Sequence, residues 1–242
     1  MIGRTLVAVE LPVEGRLGSY RLQPPGRDAI EGPLNTILNG VFHLLGAWMS
    51  EESRDTPILH AAMVSFEGRR LSLLGDKGFG KTTLMLRLIE EGAVVEGDEH
   101  VVIRPGGAIT RPRRLHVKEP SLALVPALAD AIRASPSITD WMGSRIFALA
   151  PSFGGSPWEI AERAIDHLVF VEPNFGGSSA LSPISRDTAF ARMMQTAFMP
   201  SESVGRAAAL LRTLSATANA WRLELGGLDQ AVRHLRKISD PA

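Results

Sequence analysis

The chain contains no cysteine. A disulfide framework, a catalytic thiolate and a cysteine-bound zinc are thereby excluded. Surplus charge is missing as well: Lys plus Arg and Asp plus Glu each total 26, so the molecule as a whole exerts no long-range pull on nucleic acid or on an anionic membrane. No nucleic-acid partner is expected. Long apolar runs are also lacking; every apolar patch breaks well short of the roughly 20 residues that a membrane-spanning helix needs. The start, Met1-Ile-Gly-Arg-Thr-Leu-Val, has no apolar core of signal-peptide type. A cytoplasmic protein without membrane contact is the expectation. Neither an internal repeat nor a low-complexity tract is present.

What is there is enough for a core: 45% of the 242 residues are hydrophobic. Residues 4–22 alternate apolar and polar around Glu14-Gly15-Arg16 and predict a strand, turn and strand. Leu34, Ile37, Leu38, Val41, Leu44, Leu45 and Trp48 recur at helical spacing and predict a helix over 33–49. Strands are expected at Ala61–Phe66 and Arg70–Leu74, and a helix at Lys81–Glu91, stopped by Gly92. A short strand comes next at Ala93–Glu96, with His100–Ile103 extended beyond it. A helix is expected over Leu122–Ala134, and an irregular excursion over 135–157, which is rich in Gly, Pro and Ser. A strand at His167–Val171, helices at Asp187–Phe198 and Ser203–Ser215, a strand at Trp221–Leu225 and a helix at Leu228–Ile238 complete the reading. Interleaved strands and helices predict an α/β class with a mixed sheet, flanking helices and an N-terminal β-hairpin.

The densest signal is Gly75-Asp76-Lys77-Gly78-Phe79-Gly80-Lys81-Thr82, with Thr83 directly after it. It fits G-x-x-x-x-G-K-[ST] at every fixed position, with an apolar strand before it and an amphipathic helix after it. Glycines open backbone conformations that let successive N–H groups face a phosphate, and the helix start adds its positive end. Lys81 is expected to reach the β and γ phosphates, and the Thr82 hydroxyl to hold magnesium. Phe79 either stacks on the nucleotide or packs. Further on, Asp98 and Glu99 come directly after Gly97, where a break in the strand would bring both carboxylates to one site. A kinase needs such acids for a metal and for the proton of the attacking hydroxyl. Arg111, Arg114, Lys118 and Glu119 lie in a basic segment that either clamps phosphates or forms a solvated turn.

These residues together resemble the kinase domain of the HPr kinase family, related in core to the ATP-type phosphoenolpyruvate carboxykinases. The likeness rests on His60 before a hairpin, the loop Gly75–Thr83, the helix end Leu88-Ile-Glu-Glu-Gly92, and Gly97-Asp98-Glu99-His100. The run Thr110–Glu119 and the closing Trp221–Leu225 strand with the helix after it add to the likeness. The resemblance implies a single domain over 1–242, with an extension over 1–55, a nucleotide-binding core over 56–120 and an α/β completion over 121–242. It implies ATP and Mg2+ as cofactors. Asp98 would be the base for a serine hydroxyl, Thr82 and Glu99 the metal-side ligands, and His60 a neighbour of the transferred phosphate. The roles of Asp98 and Glu99 are interchangeable at this point. The acceptor would be a serine of a peptide or protein, and the family often assembles as homo-oligomers. Small members of this kind resemble tailoring kinases of ribosomal peptides, lasso peptides included. A small-molecule kinase and a non-catalytic nucleotide switch are the alternatives.

Overall fold

Leu168, Val169, Phe170 and Val171 form an unbroken apolar run, and all four are buried. Such a run marks a central strand covered on both faces. The computed structural model describes residues 8–10, 20–23, 28–33, 37, 40–41, 56–110, 114–139, 144–150, 153, 161–199 and 203–240. They fall into two units, Met1–Arg54 and Asp55–Ala242.

In the first unit β1 (Ala8–Glu10), β2 (Tyr20–Gln23) and β3 (Ile30–Gly32) form an antiparallel sheet in that order. Leu22 is fully buried there. The turn expected at Glu14–Arg16 and most of the helix expected over 33–49 lie outside the described residues; Ile37, Gly40 and Val41 are helical.

The second unit begins with β4 (Ile58–Leu59), β5 (Ala61–Phe66), β6 (Arg69–Leu74), α1 (Lys81–Glu90), β7 (Val94–Gly97), β8 (Val101–Arg104), β9 (Gly107–Thr110) and β10 (Leu115–Lys118). It continues through a 3-10 segment, Glu119–Leu124, then α2 (Pro126–Arg133), β11 (Ser137–Thr139), β12 (Arg145–Leu149) and β13 (His167–Pro173). β14 (Ala180–Pro183), α3 (Arg186–Thr196), α4 (Val204–Thr217), β15 (Asn219–Leu225) and α5 (Leu228–Ser239) close it. Six strands make the main sheet in the order β14-β15-β13-β6-β5-β7. β13 is parallel to β6 and β15, and β5 lies antiparallel between β6 and β7. The carboxyl ends of β6, β7, β13 and β15 therefore share one rim, the place where sheets of this kind bind ligands.

Side-chain alternation splits the core between the two faces. Val169 and Val171 join Leu71 and Leu73 against α1, α2 and α5, whereas Leu168 and Phe170 join Met63 and Ala61 against α3 and α4. α1 ends as expected before Gly92: Ala93 N–H bonds to the Leu88 carbonyl and Gly92 N–H to the Ile89 carbonyl, with Gly92 at φ 89°. That pair of bonds is a Schellman cap.

Two expectations are corrected. Leu122–Ala134 is not one helix: Val125 takes φ −133° and ψ 63°, and α2 starts afresh at Pro126, because the residue before a proline is driven from helical geometry. The stretch 135–157 is not wholly irregular. It holds β11 and β12, which form a three-stranded sheet with β10 and bury Phe147 and Leu149 completely. The extended stretch expected at His100–Ile103 is present as β8, which pairs with β4 and β9 in another sheet than β7.

Candidate functional site

The loop 75–80 joins β6 to α1 at the shared rim. Gly80 sits at φ 88° in the N-cap position, which carries no side-chain cap, and the first turn of α1 has no acidic residue. The helix thus presents its positive end without a counter-charge of its own on that turn. Gly75 is required by space: a Cβ there would lie 2.7 Å from the Val171 carbonyl oxygen.

Lys81 closes the loop. Its ammonium donates to the carbonyls of Gly75 (2.6 Å) and Asp76 (3.1 Å). Burial pushes this lysine below its ordinary range, against the opposing pull of the Asp98 and Asp76 carboxylates. Asp76, Lys77 and Gly78 are exposed, and Phe79 is half-buried against the core. Thr83 is buried, and its hydroxyl donates to the Ser121 hydroxyl at 3.1 Å.

The acid reaches the loop by way of a bulge. Gly97 pairs with Met63 and Val95 with Val64, so Glu96 is a surplus residue between them. Such an insertion bends the strand and re-aims the side chains beyond it. Glu96 is fully buried and paired to Arg70, whose Nε donates to Oε2 at 2.7 Å. Ser65 (2.8 Å) and Arg163 (3.3 Å) donate to its other oxygen. Arg70 also donates to the carbonyls of Ala108, Arg163 and Ala161. The Thr110 hydroxyl donates to the Glu96 carbonyl. The strand then ends, and Asp98 is buried, its Oδ2 accepting from the Thr82 hydroxyl at 3.3 Å and its Oδ1 from the Glu99 N–H at 2.9 Å.

Asp98 and Glu99 are therefore unlike. Asp98 touches the loop's threonine, whereas Glu99 is half-exposed with φ 70°, a left-handed conformation rare outside glycine. His60 immediately precedes β5, whose Ala61 pairs with Leu74, so its backbone stands at the same rim beside Gly75; the residue is half-buried. The basic segment is spread out. Arg111 lies outside the described residues. Arg114 is exposed at the start of β10 and donates to the Ala148 carbonyl at 3.4 Å. Lys118 and Glu119 are exposed at its other end, close in sequence to Ser121. Four residues of strand put about 13 Å between Arg114 and Lys118, and Ser121, just past Lys118, bonds to Thr83 of α1.

Nothing in the sequence pattern pointed to Ser121, to the Arg70–Glu96 pair or to Phe175, which is 65% exposed beside the loop. Among the described residues no helix is long and apolar enough to cross a membrane, and no group of three or more His, Asp or Glu side chains stands ready for a metal ion.

The site and sheet define an α/β chain with a glycine loop, a loop-closing lysine and a buried acid at one rim. No family model matches the chain, and no curated protein matches it. Among solved structures it is similar to the Hpr(Ser) kinase/phosphatase from Coxiella burnetii, at 12% identity and a TM-score of 0.33, over 76% of this chain and 99% of that one.

Proposed function

We propose that the chain is a phosphotransferase that takes the γ-phosphoryl group of ATP and places it on a serine hydroxyl of a peptide or protein. The observation that carries this reading is the Thr82–Asp98 hydrogen bond, 3.3 Å, formed where a lysine-closed glycine loop meets an uncapped helix start. Together these groups supply N–H donors, an ammonium, a hydroxyl and a carboxylate within one short stretch of rim, the set that phosphoryl transfer uses.

The residues fit a magnesium ion. The Thr82 hydroxyl, joined by the Glu99 carboxylate in this reading and by the Asp98 carboxylate in the second, offers oxygen ligands of the hard type that it prefers, and when bound it would neutralise charge on the phosphates. In the transfer the loop amides and Lys81 bind the phosphates, Lys81 giving up its two carbonyl partners to do so. Asp98 orients the serine and accepts its proton as the new O–P bond forms, while the bond from the γ-phosphorus to the bridging oxygen breaks and ADP leaves. A second reading is favoured by the same contact with Thr82: Asp98 serves the metal and Glu99 takes the proton. A C-terminal serine of a ribosomal peptide precursor is the acceptor that the resemblance to small peptide-tailoring kinases suggests. Calorimetry with Mg·ATP and Mg·GTP, and then transfer of labelled phosphate to serine peptides, tests the proposal. Absence of affinity for both nucleotides ends it.

A further inference from the structure

Phe175 stands out among the exposed apolar residues because its backbone is fixed. Gly177 N–H bonds to the Asn174 carbonyl at 2.8 Å, and Gly176 has φ 87°. This is a β-turn whose third residue needs a left-handed conformation, with Phe175 in the second position. The turn is anchored on both sides. Asn174 N–H donates to the Leu225 carbonyl at 2.8 Å, and the Asn174 amide to the Ser178 carbonyl at 2.9 Å. Ser179 Oγ donates to the Gly227 carbonyl and accepts from Gly226 N–H. Gly226 is packed so closely that a Cβ would lie 2.1 Å from the Gly177 carbonyl oxygen.

The ring nevertheless stays in water, 65% exposed. Its position is specific: a Cβ built on Gly80 would lie 3.6 Å from Phe175 Cε1. The outer edge of the ring, Cε1 and Cζ, therefore stands beside the start of α1, on the side of the phosphate loop formed by the ends of β13 and β15. A nucleotide whose phosphates occupy the loop carries its base one ribose further on, and an exposed aromatic ring on an anchored turn next to the loop is what a base stacks upon.

We infer that Phe175 is the stacking platform for the nucleobase of a nucleoside di- or triphosphate. This rests on the nucleotide-binding reading above. Stacking accepts any base face, so the platform gives affinity for a base without choosing which.

The test compares full-length wild type and Phe175→Ala by calorimetry, with Mg·ADP and with Mg·pyrophosphate, which has phosphates and no base. Removal of a stacked ring is expected to weaken ADP about tenfold or more, while pyrophosphate affinity stays within about twofold. Phe175→Trp restores ADP binding. Equal loss for both ligands would mean that the substitution disturbs the loop, and no loss for ADP would mean that the ring serves another partner; either result overturns the inference and leaves the phosphotransferase reading standing. Wild type that binds neither ligand removes both.

Discussion

Glu96 is completely buried, and Arg70 holds its carboxylate with a 2.7 Å hydrogen bond two residues before Asp98. Ion pair and acid belong to one structural unit: the pair fixes the bulge, and the bulge aims the acid.

Removal of one partner strands the other in a low-dielectric interior. Arg70→Met is expected to cost about 3–5 kcal/mol, read as a lowered urea midpoint. Arg163, whose side chain is 44% exposed, also touches Glu96, and Arg163→Ala is expected to cost about 1 kcal/mol or less because solvent screens it. Equal costs for the two variants would contradict the assignment of Arg70 as the main partner.

Asp98→Asn keeps the shape of the side chain and its acceptor oxygen near Thr82, but cannot take a proton. Phosphate transfer is expected to be lost while Mg·ATP affinity changes little. If affinity collapses and extra magnesium recovers it, Asp98 serves the metal and the second reading holds.

Gly97 leaves no room for a side chain: a Cβ would lie 2.6 Å from Thr110 Cβ. Gly97→Ala is expected to destabilise by about 1–3 kcal/mol and to lower transfer further than stability alone would, since Asp98 is the next residue. Melting curves and turnover measured on the same preparation separate the two effects.

His167 is buried, with Trp221 Nε1 donating to its Nδ1 at 3.1 Å. Burial, with help from Arg69, depresses its pKa below 6.5, and Asp166 and a bond to the Ile238 backbone only partly oppose this. The unfolded chain therefore binds the proton first as pH falls. The stability contribution is full above 6.5, declines as pH drops from there towards the depressed folded value, and then levels off. His167→Asn should flatten that part of a pH–stability curve; an unchanged slope would show that other groups set it.

The strand–loop–helix arrangement around 75–82 was readable because its signal is local: glycines, lysine and threonine at fixed spacing between an apolar strand and an amphipathic helix. Asp98 was readable as a candidate, yet its separation from Glu99 depends on strand pairing that only the fold supplies. Arg70 and Glu96 looked like ordinary polar positions of strands, since burial of a charge is decided by partners 26 residues apart. Arg145–Leu149 was hidden by the Gly, Pro and Ser around it, although Phe147 and Leu149 end up wholly inside. The break at Val125 was signalled by Pro126, against a helical pattern that ran through it. Phe175 sat in a glycine-rich stretch whose composition predicts a loop and says nothing of where its ring stands.

One surplus residue in β7 carries a larger consequence. Deletion of Glu96 would let β7 pair with β5 in regular fashion, with Gly97 still opposite Met63, and would remove both the bend of the bulge and the carboxylate that Arg70 holds. The chain would keep every residue of its glycine loop and the same acid after Gly97, yet would lose the kink that carries that acid to Thr82.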